Sequence, residues 1–119
     1  MVRVVRADRT NRVPAKNPIF VGAVDEQRFS VEGMTDLSIG EIHFKNGAVN
    51  KPHVHSTDQI LVITEGEGIV ATDSEKHEVQ AGDLAFIPVN TKHWHGARPG
   101  KDMTHWSILG RDSKTTIAE

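Results

Sequence analysis

The chain contains no cysteine. Disulfide staples and thiolate ligands are therefore excluded, and any metal must be held by nitrogen or oxygen. The lack of thiols fits a reducing compartment. No apolar run is long enough to cross a bilayer as a helix, and the charged N-terminus lacks the hydrophobic region of a signal peptide. These absences together read as a cytoplasmic protein without a membrane partner. An excess of one charge is also missing: 14 Lys and Arg stand against 16 Asp and Glu, a formal net charge of −2. Nothing in that balance argues for nucleic acid as the main partner. The local exception is Arg3, Arg6, Arg9, Arg12 and Lys16, read as a solvated or subunit-contacting arm. Helical periodicity is lacking too, since no segment sustains it over three turns.

What is present is strand-like. The 119 residues fit one domain. A chain of this size buries roughly two-thirds of its unfolded surface, enough for a core without crosslinks. Short apolar or alternating runs are expected as strands at 19–24, 37–44, 59–64, 68–72, 76–79, 84–87, 93–97 and 103–109, with turns at Lys45-Asn46-Gly47, Glu65–Gly68, Asp73-Ser74-Glu75 and Ala81-Gly82-Asp83. Close, regular spacing with Gly and Pro punctuation points to an all-β sandwich or barrel. The expected organisation is an N-terminal arm over 1–16, a barrel over 17–110 and a polar tail over 111–119 that frays. Phe86, Ile42, Ile60, Val62 and Leu61 are expected in the core or the pocket wall.

The chemistry concentrates in two blocks. The first, GAVNKPHVHSTDQILVITEG, runs from Gly47 to Gly66. His53 and His55 are two apart, so on a strand both imidazoles face one way. Imidazole is a common ligand for transition metals, and Gln59 adds an oxygen donor downstream. The second block, GDLAFIPVNTKHWHGA, runs from Gly82 to Ala97 and delivers His93 to the start of a strand. His53, His55, Gln59 and His93 make a four-ligand set that leaves one or two coordination positions open, as a catalytic metal needs. An isolated strand histidine is ordinarily just a hydrogen-bonded residue; the same-face pair and the matched second block are what favour the metal.

The two blocks resemble the paired motifs of the cupin superfamily. The first motif, G-x5-H-x-H-x3,4-E-x6-G, is met at every spacing by Gly47, His53, His55, Gln59 and Gly66, with Gln59 in place of the usual Glu. The second, G-x5-P-x-G-x2-H-x3-N, is met at Gly82, Pro88 and His93, with Asn90 for the inner Gly and Ala97 for the final Asn. Asn tolerates a left-handed backbone, so the loop is expected to survive the first change. The resemblance implies a double-stranded β-helix, a jelly-roll barrel with one divalent metal inside. Within that superfamily, the run His93-Trp94-His95-Gly96-Ala97 followed by Met103-Thr104-His105 is similar to small cupins likened to carboxymuconolactone decarboxylase-associated proteins. That subgroup includes manganese-dependent hydroxynitrile lyases, which also carry Gln in place of Glu.

Gln59 matters because the resulting donor set is neutral. A divalent ion held by it keeps its charge and should act as a stronger Lewis acid. Mn, Fe, Ni, Zn and Co all suit such donors. For proton transfer, His105 on the last strand is the first choice and His95, by parity with His93, the second; the plain alternative for each is a buried histidine bonded to backbone. His105 reaches the interior if Ser107 and Leu109 share its face. His43 and His77 read as surface residues, and Trp94 and Trp106 as packing against another layer or subunit. The favoured reading is a lyase, decarboxylase or isomerase acting on a small oxygenated substrate. The alternatives are an Fe(II)-dependent dioxygenase and a non-catalytic small-molecule or sugar-binding module. A homodimer is expected, since an open sheet edge invites pairing by the arm.

Overall fold

Alternation and turn chemistry set the architecture. The computed structural model describes residues 1–118. Its strands are β1 (Val13–Pro14), β2 (Phe20–Val21), β3 (Val24–Arg28), β4 (Leu37–Phe44), β5 (Val49–Asn50), β6 (His53–His55), β7 (Gln59–Ala71), β8 (Lys76–Gln80), β9 (Leu84–Ile87), β10 (Trp94–Ala97), β11 (Met103–Gly110) and β12 (Thr115–Ile117). One 3-10 turn, Arg9–Asn11, precedes them, with Asp8 accepting from the Thr10 N–H at its start. No helix among the described residues is long and apolar enough to cross a membrane.

All the strand pairings are antiparallel, and the long β7 organises them. Its first half lies between β11 and β9, in the face that continues through β4 and β3 to β1. Its second half lies between β10 and β8, in the face that continues through β5 to β2. A strand shared by two faces curls the sheet onto itself, giving the single-domain, all-β jelly-roll expected from the sequence.

The turn expected at Glu65–Gly68 is instead a bend inside β7. Gly66 has φ 76°, and a Cβ there would lie 2.0 Å from the Asp102 carbonyl oxygen. Only glycine fits that left-handed, closely approached position. The partner β11 shifts register between Thr104 and His105 to follow the bend. Apolar-polar alternation reads the same in a bent strand as in two strands joined by a turn, so the run looked interrupted. The stretch expected as one strand over 19–24 is likewise split between β2 and β3, in different faces of the sheet.

Phe44, Leu61, Ile63 and Met103 are fully buried and form the core with Val24, Ala48, Val70, Ile87 and Ala97. Each large side chain contributes about 1.5–3 kcal/mol by leaving water. Along β7 the inward parity runs Gln59, Leu61, Ile63, so the core residues fix which way Gln59 points. Phe86 does not join them. It is 70% exposed, because β9 edges its sheet and turns Leu84 and Phe86 outward.

The two ends of the chain are better tied than the sequence suggests. Arg12 forms ion pairs with Glu41 at 2.7 Å and Glu65 at 2.6 Å, and Gln27 and Trp106 also donate to Glu41. The Arg12 guanidinium holds the Glu41 and Glu65 carboxyls below their usual range against the opposing effect of burial. At the other end, Thr115–Ile117 pairs with His53–His55. Asn90 has φ 62°, the left-handed conformation its side chain tolerates.

Candidate metal centre

Strand parity and one backbone bridge build the site. His53 and His93 exchange two backbone hydrogen bonds, 2.9 and 3.0 Å, which bring the two sequence blocks side by side. His55 lies two residues beyond His53 and shares its face. The potential ligand atoms of His53, His55 and His93 all fall within 4.8 Å of one another, and all three residues are buried.

Their hydrogen bonds orient the rings for metal. His53 Nδ1 lies 2.7 Å from the Lys51 carbonyl oxygen, and His93 Nδ1 lies 2.8 Å from that of Thr91. A carbonyl only accepts, so Nδ1 carries the proton and Nε2 keeps its lone pair. His55 Nδ1 lies 2.8 Å from Thr115 Oγ1. Nε2 of His55 and of His93 are buried without a protein partner, as is Gln59 Oε1. The Gln59 amide abuts His55, and its Nε2 donates to Ser107 Oγ at 2.8 Å, which leaves Oε1 as the free acceptor. Unpaired buried acceptors cost about 1–3 kcal/mol each, whereas a bound cation satisfies them. The three histidines form a site for one divalent transition metal.

Burial is the main electrostatic influence here. It pushes His53 and His55 down to about 4 and lowers His93 as well. The imidazoles are therefore neutral and ready to ligate at neutral pH. The metal-free protein should then lose stability as pH falls from 6.5 toward about 4. In that window the unfolded chain binds protons that the folded one refuses, so stability rises with pH and levels off above 6.5. Urea midpoints at pH 7, 5.5 and 4.5 check this; midpoints that do not decline across the series would contradict it.

His95 and His105 sit deeper. The His95 ring stacks on that of His93, with 5.6 Å between centroids, and lies 4.8 Å from that of His105. Asn50 clamps His95: its Oδ1 accepts from the backbone N–H at 2.8 Å, and its Nδ2 lies 3.2 Å from the ring Nε2. That donor occupies a lone pair of His95. His105 is fully buried, and neither of its ring nitrogens makes a well-formed hydrogen bond, its one backbone interaction being a poorly aligned approach to Trp106. Burial lowers it to about 4. Both histidines line a cavity of about 290 Å³ together with His53, His55, Gln59, Ser107 and Leu109. The face shared by His105, Ser107 and Leu109 is thus the inner one.

Two other histidines lie apart. His77 is exposed, and His43 is half-buried with its Nδ1 2.7 Å from Thr104 Oγ1. Asn50 and Thr115 escaped the sequence reading. Asn50 does lie inside the first block, where a buried amide among histidines is a detectable signal. Thr115 in a polar tail gives none.

Fold and site together define a metal-binding jelly-roll of the cupin type. The chain belongs to the cupin family, whose domain model matches residues 40–108. It is 35% identical over 71 residues to an (R)-mandelonitrile lyase of Granulicella tundricola, covering 59% of this chain and 54% of that protein. It is 34% identical over 64 residues to a dimethylsulfoniopropionate lyase of Ruegeria pomeroyi, covering 54% and 42%. The chain thus spans about half the length of the curated relatives it matches. Among solved structures, a cupin-like protein of Thermotoga maritima superposes with a TM-score of 0.82 at 25% identity, covering 94% of this chain and 90% of that one.

Proposed function

We propose that the protein is a metal-dependent lyase, decarboxylase or isomerase acting on a small oxygenated molecule. His53, His55, His93 and Gln59 would hold the ion, and His105 would move the proton. The observation that carries this reading is His105 itself, a fully buried imidazole whose ring nitrogens make no well-formed hydrogen bond to a side chain, in the cavity that His53, His55 and Gln59 line. A buried imidazole with poorly satisfied nitrogens costs folding energy, which fits a chemical role. A divalent ion in this neutral donor set supplies Lewis-acid polarisation of a carbonyl or hydroxyl oxygen.

The chain's own residues do the remainder. The fully buried Phe44 packs beside the His95 and His105 rings, with ring centroids 5.9 and 5.6 Å away. His105, neutral above about pH 4, accepts a proton from the substrate and returns it to the leaving fragment. On a hydroxynitrile, it would take the hydroxyl proton as the carbon–carbon bond breaks, and cyanide would leave with the bonding pair and recover the proton. His95 is held by Asn50 and is the second choice, orienting the substrate or its neighbour His105.

The two lyase relatives support this class, and manganese is the first ion to test because of the resemblance to manganese-dependent cupin hydroxynitrile lyases. Residues 17–110 serve as the catalytic barrel in this reading. A homodimer is supported by the outward Leu84, Phe86 and Val89 and by the exposed apolar residues Val2, Val4 and Val5 of the arm. We also place the protein in the cytoplasm, on its lack of cysteine.

The test is turnover by manganese-loaded protein on aromatic hydroxynitriles, dimethylsulfoniopropionate and small 2-oxo acids. We expect product without oxygen uptake, abolished by chelation and restored by the ion. Oxygen consumption by iron-loaded protein would point to the dioxygenase class instead. Tight ligand binding without turnover would point to a binding module.

A further inference from the structure

The three ligating histidines are not oriented in the same way. Nδ1 of His53 and of His93 each meets a carbonyl two residues upstream, at Lys51 and Thr91. Those contacts are local and come with the strand entry. His55 instead meets Thr115 Oγ1, 60 residues along the chain and beyond the last barrel strand. We propose that Thr115 is a positioning residue for the metal centre, acting through His55, so that ion binding and docking of the tail strand β12 are coupled.

The register supports this. β12 pairs with β6 as Thr115 to His55, Thr116 to Val54 and Ile117 to His53. Thr115 therefore lies on the ligand face, and Thr116 on the opposite face beside Val54. The hydroxyl at 2.8 Å keeps the His55 ring from rotating and can accept from Nδ1–H, the tautomer in which the unpaired Nε2 faces the ion. The tail has few other ties. β12 is exposed throughout and belongs to a two-stranded sheet with β6 alone. Flanking bonds join Ser56 to Lys114 and Pro52 to Ala118. A two-stranded ribbon of this size is marginal by itself, so the tail opens at low cost. Coupling is reciprocal: if the docked tail favours the ion, the ion favours the docked tail by the same factor.

This inference rests on reading His55 as a ligand, and the experiment separates the two. Manganese affinity is measured by competition with a chelating indicator on the full chain, for wild type, Thr115→Val, Thr115→Ser and the control Thr116→Val. Thr115→Val should bind roughly 10–100-fold more weakly, as expected for loss of a group that orients a ligand. Thr115→Ser keeps the hydroxyl and should stay near wild type, as should Thr116→Val. In wild type, manganese should slow hydrogen exchange at amides 114–118, and this protection should shrink in Thr115→Val. Equal affinity in Thr115→Val and Thr116→Val, or tail exchange indifferent to manganese, overturns the role of Thr115 alone. A wild type that takes up neither manganese nor iron, nickel, zinc or cobalt overturns the ligand reading and the inference with it.

Discussion

Replacing His93 with alanine will give a folded protein that no longer retains a divalent ion. The loss should exceed the roughly 10–100-fold expected for a residue that merely orients a ligand, because a donor atom itself is removed. Three imidazole donors converge within 4.8 Å, and removing His93 leaves only His53 and His55 with the weaker Gln59 oxygen. The fold should survive. The bridge between His53 and His93 is made by backbone atoms, which the substitution keeps. The cavity left by the ring is partly offset by removal of the unpaired Nε2. Elemental analysis should find about one ion per chain in wild type and background in the variant, while far-ultraviolet circular dichroism stays unchanged. Metal content equal to wild type would mean that His93 is an ordinary buried histidine.

The neutrality of this site is a folding matter as well as a catalytic one. Five buried histidines, His53, His55, His93, His95 and His105, occupy one interior, and burial lowers the pKa of each. None carries a positive charge near neutral pH, so they neither repel one another nor demand a carboxylate partner. A divalent ion can therefore enter a region already built for uncharged donors. The same arrangement makes the metal-free protein sensitive to acid, since protonating any of these rings places an unpaired charge in the interior.

How much of this was legible depends on the range of the interaction involved. His53, His55 and the inward face of Gln59 follow from strand parity, a property of adjacent residues. The meeting of His93 with His53 needs a long-range bridge, yet the matched Gly82–Pro88–His93 spacing made it readable through family resemblance. The bend in β7 was not readable, because the Asp102 carbonyl that forces glycine at position 66 is distant in sequence. Phe86 was misplaced for a similar reason: hydrophobicity does not reveal that β9 is an edge strand. The contact from Thr115 to His55 is the extreme case, a threonine in a polar tail with nothing local to mark it.

His105→Leu should produce a more stable protein that keeps its metal and loses turnover by about 10²–10⁴-fold, the usual range for a general acid or base. The stability gain follows from the unpaired ring. Neither nitrogen makes a well-formed hydrogen bond, at a cost of about 1–3 kcal/mol, and leucine has no polar atoms to desolvate. Phe44, whose ring centroid lies 5.6 Å from that of His105, offers the newcomer an apolar neighbour. Metal content should not change, since His105 lies outside the cluster formed by His53, His55 and His93. The pH profile gives a second reading. Burial lowers His105 to about 4 in the metal-free protein, and a nearby cation would lower it further, so wild-type turnover should fall only at or below that value, and the residual activity of the variant should lack this limb if metal occupancy is held constant. Opposite movements of melting temperature and rate would identify a residue kept for chemistry at the expense of stability. Unchanged turnover with a raised melting temperature would remove His105 as the base, and His95 would then be the next residue to test by substitution.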